Sequence, residues 1–504
     1  MHSLVTTEVR TDIAPDILSL LKRVNHHLAD RDITAYLVGG VVRDMVLGRR
    51  VGDIDIAIAC DALKVASRMA DDLDGKYVLL DEDNGVGRVV LSARDRKWEL
   101  DFSTIEGGIE QDLARRDFTI DAMAIEIEGL LRNPQSPVLI DPSGGQEDCN
   151  RGVVKMVGDS VFADDPVRLL RAVRLAAELS FRIDEATEAL IKRQAHLIGS
   201  VAGERVREEL LRLLVLPAGG RHLESLEDLG LLDNIFPELV VTKGVTQPRE
   251  HCWDVFEHSL RTVGAVDFLL REGNWEYAGR EALEAVPWSM ELAQHFSCEV
   301  GHGSNRKALL RLAALLHDIA KPQTKMVEQT GRTRFLGHPQ EGALVVTDIM
   351  ERLRFSTREI KLVEIMVRYH HRPTQMSHEG LPTNRAIYRY FRDSGEAGID
   401  ILFLSLADHL ATRGENFDIA HWREHAEIVA HVLARHAEEE TLTAPLKLVD
   451  GHDLISLYGL RPGPNFAEIL EVVREAQAAG EVTTREEALH YIQHTLNISL
   501  RKDN

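Results

Sequence analysis

Asp53 and Asp55 stand two residues apart in the apolar run DIDIAIA (53–59), a spacing that puts both carboxylates on one face of a strand. Two carboxylates so close repel unless a cation lies between them, and hard oxygen ligands suit Mg²⁺, with waters and substrate phosphates completing its shell. Alternation of Ile54, Ile56 and Ile58 favours a half-buried strand over a solvated edge. In KWELDFST (97–104), Trp98, Leu100 and Phe102 share one face while Glu99 and Asp101 share the other, and Asp101 is favoured as the third carboxylate. Three carboxylates around two Mg²⁺ ions serve nucleotidyl transfer: one ion lowers the pKa of an attacking hydroxyl, the other stabilises the leaving pyrophosphate. Just upstream, Gly39 and Gly40 end the strand AYLVGG and open a helix at VVRDMVLG. Such a turn either serves only as a turn or offers backbone N–H groups to phosphate oxygens.

A second set lies further along: His258 in FEHSL, His317 and Asp318 in LLHDIAKP, His338 in GHPQEGA, His370 and His371 in RYHHRP, and Asp408 in SLADHLATRG. Any one of the 22 histidines could be a packed core residue, but an ordered set with two carboxylates points to a metal. Neutral imidazoles suit a divalent transition metal or Mn²⁺ better than an all-oxygen Mg²⁺ cage.

These residues need a scaffold of several domains, because 504 residues exceed one hydrophobic core. From about 32 to 140, short β-branched runs alternate with helical stretches, which predicts an α+β head with a small mixed sheet. After Asp164 helical periodicity dominates. Turn signals at DPSGG (141–145), FPELVVTKGVTQPRE (236–250) and RGENF (413–417) divide the chain. The expected domains are an N-terminal helical segment (1–30), the head (31–150), an all-α neck (151–240), a histidine-bearing domain (250–412) and a helical tail (413–504). Residues 79–90, LLDEDNGVGRVV, are expected to be a mobile loop affecting nucleotide choice, and 271–289 a local insertion.

Composition narrows the function. The 44% apolar, 28% charged balance is that of a globular protein, and the net charge of -22 opposes polyanion binding over most of the surface. Residues 1–150 carry 17 basic and 28 acidic side chains against 11 and 10 in residues 151–220, so any RNA contact is expected on the latter. No apolar run reaches the roughly 18 residues of a membrane span, and no secretory leader is evident, so no membrane partner and a cytoplasmic location are expected. The four cysteines form no C-x-x-C and are expected to be reduced, without disulfides.

Four stretches, in order, carry a family resemblance: GGVVRDMVLGRRVGDIDIAIA (39–59), DLARRDFTIDAMAIE (112–126), DPSGG and DDPVRLLRAVRLAAEL (164–179). Together they resemble the bacterial class II tRNA nucleotidyltransferase and poly(A) polymerase family. The resemblance implies a polymerase-β-like head in which Gly39, Gly40 and Arg43 bind the triphosphate and Asp44 buttresses the turn. It makes Asp53 and Asp55 the Mg²⁺ ligands, Arg116 a nucleotide contact and Asp117 the holder of its loop. Asp165 and Arg168 become a protein template for the base, with Arg171 and Arg174 continuing a three-residue polar stripe toward the nucleotide. A carboxylate accepting from an exocyclic amino group beside an arginine donating to a ring nitrogen suits cytosine and adenine, whereas uracil and guanine present a carbonyl there. The family's FTIN is FTID here, so Asp121 replaces an amide by a carboxylate.

Residues 250–412 resemble the HD phosphohydrolase superfamily. By that resemblance His258, His317, Asp318 and Asp408 bind a divalent transition metal, Mn²⁺ or Mg²⁺, His338 and His370 serve a second ion, and Lys321 meets a substrate phosphate. The expected activity is addition of C and/or A to the tRNA 3′ end from CTP and ATP, with poly(A) synthesis as an alternative. Protein uridylyltransferases also join such domains, but their GG-x-G-R and S-D-x-D patterns differ from GGVVRD and GDIDI. A non-catalytic RNA-binding module would be expected to have lost some of these carboxylates.

Overall fold

The structure, a computed structural model, describes residues 6–9, 13–93, 96–105, 107–377, 380–441 and 447–495. It divides into two compact units, Met1–Leu213 with Ser225–Ile235, and Leu214–Glu224 with Phe236–Asn504.

The first unit is built on a sheet of eight strands: β1 (Thr6–Glu8), β2 (Ala35–Val38), β3 (Ile54–Ile58), β4 (Lys76–Asp81), β5 (Val86–Ala93), β6 (Arg96–Thr104), β7 (Ala124–Glu126) and β8 (Val138–Ile140). Their order is β1-β8-β7-β2-β3-β6-β5-β4, and only the β3–β6 pair is parallel. The pattern anticipated in the sequence explains this: Ile54, Ile56 and Ile58 on β3 and Leu100 and Phe102 on β6 are fully buried, with Trp98 nearly so. Helix Ala62–Leu73 covers β4, β5 and β6 with Ala66, Met69 and Ala70, and Asp61 caps it by accepting from the Lys64 N–H.

Three expectations for this unit change. The N-terminal segment is not only helical: besides helix Pro15–Ala29 it supplies β1, which pairs with β8 at the sheet edge. Residues 79–90 are not a mobile loop but the β4–β5 hairpin, its turn closed by the Asp81 carboxylate accepting from the backbone and side chain of Asn84. Asp53 sits one residue before β3 rather than on it.

Beyond the sheet the unit is helical, with Arg168–Leu179, Glu185–Gln194 and Gly203–Val215 joined by a short parallel pair, Val153–Val154 with Arg182–Ile183. Asp165 does not lie on a helix but in the extended break between Val161–Asp164 and Arg168–Leu179.

In the second unit, helices Val255–Leu269, Arg306–Leu316, Thr357–Tyr369 and Gly398–Arg413 pack together, with His338–Arg352 against Thr357–Tyr369. Their buried faces are mainly Leu, Ala, Val, Ile and Phe, interrupted by the buried pairs Arg311–Asp267 and Arg306–Asp400. The stretch 271–289 is anchored: Ala282 is buried and its carbonyl accepts from Trp422 Nε1 at 2.8 Å. Residues Val449, Leu454, Val473, Ala476 and Ile492 form a separate small core among the C-terminal helices. All four cysteines are free, and no described helix is long and apolar enough to cross a membrane.

Candidate functional site

The head site starts from Gly39. Its backbone has φ 72° and ψ −140°, and a Cβ there would lie 3.0 Å from Arg116 Nη1 and 3.3 Å from Asp55 Oδ2. The turn that opens helix Gly40–Val46, the arginine of RRDFT and the strand carboxylate therefore converge on one point. Asp55 stands level with Asp101 across the parallel β3–β6 pair. Burial, with the charge of Asp101 adding to it and Arg116 opposing, pushes the Asp55 carboxyl up to about 6. Desolvation and then Glu99 also raise Asp53. A divalent cation bound at Asp55 and Asp101 would relieve the repulsion between them.

Arg88, on β5, grips Asp101 with two hydrogen bonds of 2.7 and 2.8 Å and also pairs with Glu99. Glu99 is further held by Lys97 at 2.6 Å.

Arg43 points inward, not outward: it is 6% exposed, its Nε donating to Asp44 at 3.0 Å and its Nη1 to Asp121 at 2.8 Å. A Cβ on Gly40 would lie 3.3 Å from its Nη2, so the guanidinium underlies the turn. The second oxygen of Asp121 accepts from Arg171 Nη2 at 3.3 Å, and Arg171 Nε lies 2.5 Å from Asp117 Oδ2. Against the cost of burial, Arg171 holds the Asp117 carboxyl below its ordinary value.

Beside this network opens a cavity of about 380 Å³ lined by Arg116, Asp117, Asp165, Arg168, Arg171 and Arg205, among others. Asp165 accepts two hydrogen bonds from Arg205, at 2.8 and 3.1 Å, and Arg168 donates to the Arg115 carbonyl at 3.2 Å. Arg174 does not line this cavity. It is 6% exposed and engages Glu178 and Glu209, both at 2.6 Å. The reason is helical geometry: each three-residue step turns the stripe by about 60°, so Arg174 faces about 120° away from Arg168.

In the second unit the histidine set closes around Asp318, which is 1% exposed. One carboxylate oxygen lies 3.1 Å from His317 Nε2, 3.5 Å from His258 Nε2 and 2.6 Å from Lys321 Nζ, and the other lies 3.2 Å from His338 Nε2 and 3.9 Å from His370 Nε2. Asp408 lies 3.1 Å from His258 Nε2. His317, His338 and His370 each donate Nδ1–H to a backbone carbonyl, of Ala314, Phe335 and Val367, at 2.8, 2.7 and 2.6 Å. That fixes a proton on Nδ1 and turns Nε2 toward Asp318, whose charge, against the cost of burial, raises the pKa of His317. Burial keeps His258 and His370 neutral by lowering both pKa values, and it pushes His371 down to about 4. Nε2 of His338 and His370 and Asp318 Oδ1 are buried without a hydrogen-bond donor, which is the arrangement a metal resolves. Two candidate ligand groups result, His258 with His317 and Asp318, and His338 with His370 and His371.

Arg88 and Arg205 are not among the residues the sequence singles out, and His371 stands in the histidine set there without a ligand role. Arg205 lies 40 positions from its partner and outside the four motif stretches, and Arg88 is the one charged residue in its strand. The doubled histidine of RYHHRP was the available signal for His371.

A carboxylate-lined nucleotidyltransferase head followed by an HD-type metal domain is the class that this fold and these sites define. Residues 35–155 match the poly(A) polymerase head domain, 180–242 the probable RNA- and SrmB-binding site of polymerase A, and 255–413 the HD domain. The chain is 34% identical to the A-adding tRNA nucleotidyltransferase of Deinococcus radiodurans, over 91% of this chain and 95% of that protein. It is also 34% identical to the CC-adding tRNA nucleotidyltransferase of Thermus thermophilus, over 91% and 93%. Its fold is similar to that of a CCA-adding enzyme solved with ATP, with a TM-score of 0.63 and 22% identity over 97% and 96% of the two chains. The chain belongs to the tRNA nucleotidyltransferase and poly(A) polymerase family.

Proposed function

We propose that the chain adds C and/or A to the 3′ end of tRNA from CTP and ATP, in the cytoplasm, without a nucleic-acid template. The observation that carries this reading is the convergence of Gly39, Arg116 and Asp55 beside the cavity holding Asp165 and Arg168. Asp53, Asp55 and Asp101 would hold divalent cations, Mg²⁺ being the best fit, whose bound charge supplies activation of the ribose hydroxyl and stabilisation of the leaving pyrophosphate. The turn at Gly39 and Gly40 receives the triphosphate, with Arg116 beside it and Arg43 holding the turn from beneath. Asp165 accepts from the amino group of cytosine or adenine after exchanging Arg205 for it, and Arg168 donates to the ring nitrogen. Arg171 acts by fixing the helix that carries Arg168. In the second unit the histidines and Asp318 and Asp408 would hold a transition metal or Mn²⁺, and Lys321 faces a phosphoester whose hydrolysis the bound metal supports.

The test is incorporation of labelled CTP or ATP, with Mg²⁺, into tRNA transcripts ending before CCA, after the first C, or after CC. Growth of all three to CCA identifies complete addition; arrest at CC or action on the CC end alone identifies a specialist; long tails identify poly(A) synthesis. No incorporation into any transcript overturns the reading.

A further inference from the structure

Asp121 occupies a place that the nucleotide chemistry does not explain. It touches none of the groups proposed to meet substrate phosphate or base directly, yet it is 2% exposed and bonded on both oxygens to arginines from two different elements. One, Arg43, underlies the Gly39–Gly40 turn, and the other, Arg171, lies one turn after Arg168 on the helix that borders the cavity. Among the described residues, Asp121 is the group bonded to both.

Its own backbone is braced. It ends the short 3₁₀ turn Thr119–Asp121, whose Thr119 hydroxyl donates to Asp148 Oδ2 at 2.7 Å, buried. Gly145 presses on the same turn so closely that a Cβ would collide with the Thr119 carbonyl. Gly145 is held in turn by its N–H donating to Asp141 at 2.7 Å. The DPSGG stretch thus fixes the turn that carries Asp121.

We infer that Asp121 is a positioning residue that couples the triphosphate turn to the base-selecting helix, so that the fit of the base controls the alignment of the α-phosphate. The carboxylate suits this role. Two guanidinium groups offer only donors, and a carboxylate accepts from both, whereas an amide turns its NH₂ toward one of them. When a base satisfies Asp165 and Arg168, the helix holds Arg171 on Asp121 and Asp121 holds Arg43 beneath the turn. A mismatched base shifts the helix, and Asp121 passes the shift to Arg43 beneath the turn.

The inference rests on the nucleotide-addition reading, and inactivity of the wild-type protein on every transcript would sink that reading instead. Asp121→Asn, Arg171→Met and the double variant are compared with wild type for kcat and KM with CTP, ATP, UTP and GTP. The single variants are expected to lose at least about 10-fold in kcat for the favoured nucleotide with KM within about twofold, and to lose discrimination against UTP and GTP. The double variant is expected to be no worse than the weaker single one. Unchanged kcat and discrimination, or an equal loss of kcat for all four nucleotides, overturns the coupling. If Asp121→Asn does not fold, judged by far-UV circular dichroism, the discrimination of Arg171→Met decides by the same criteria.

Discussion

Replacing Gly39 by alanine separates two costs that the head site imposes on one residue. At φ 72° and ψ −140° the backbone lies where side chains are rarely tolerated, and strain of this kind costs about 1–3 kcal/mol. The added methyl would also stand 3.0 Å from Arg116 Nη1 and 3.3 Å from Asp55 Oδ2, wedging apart groups that we propose meet one triphosphate. Gly48 supplies the control, since its φ is 63° but a Cβ there meets nothing within 4 Å. Gly48→Ala should therefore lose about 1 kcal/mol from backbone alone and keep its activity. Gly39→Ala should lose about 1–3 kcal/mol and, through displacement of order 1 Å at the reacting centre, about 100-fold in nucleotide addition. Urea unfolding followed by tryptophan fluorescence measures the first quantity, and incorporation into a tRNA transcript at saturating nucleotide measures the second. Wild-type activity in Gly39→Ala, or equal activity in the two variants, would refute the claim that the turn, Arg116 and Asp55 share one site.

Asp55→Asn should abolish addition yet stabilise the metal-free protein at neutral pH. With the folded-state pKa raised from 3.8 to about 6, the wild-type head binds this proton more tightly than the unfolded chain, so it loses stability as pH rises from about 4 to about 6. The variant should melt higher above pH 6, by the equivalent of up to about 3 kcal/mol, and the gap should close toward pH 4; a gap independent of pH would refute the shift. Arg174→Met strands Glu178 and Glu209, both partly shielded, and should cost about 2–3 kcal/mol of stability while leaving the KM for CTP within about twofold. A large rise in KM would return Arg174 to the nucleotide site. Asp318→Ala removes the carboxylate shared by His317, His338 and Lys321, and metal analysis after dialysis against Mn²⁺ should show at least about 10-fold less retained ion than wild type; equal retention would refute the ligand assignment.

What was legible in the sequence was whatever local spacing encodes. Two-residue alternation announced β3 and β6, and with them the faces of Asp55 and Asp101. The ordered histidines and aspartates could be collected before their helices were known to meet. Pairings across distance were not legible. Nothing near Asp165 announces Arg205, and nothing near Gly145 announces the Thr119 carbonyl on which it packs. The polar stripe misled for a geometric reason, since three-residue spacing drifts around a helix and carries Arg174 away from the cavity that Arg168 borders. β1 escaped notice because three residues on a sheet edge carry too few side chains to show a period.

The parallel pairing of β3 with β6 bears on when the enzyme comes into being. These strands are neighbours in the sheet but are separated in the chain by helix Ala62–Leu73 and the β4–β5 hairpin. Asp55 cannot meet Asp101 until that excursion has been laid down, and a chain closure of this span is slow compared with hairpin formation. Arg116 and the turn bearing Asp121 follow later still in the chain. On the proposed reading a ribosome-bound fragment ending before β6 is catalytically silent, however well its first strands have formed, and nucleotide selection waits further for the later segment that carries Asp165, Arg168 and Arg205.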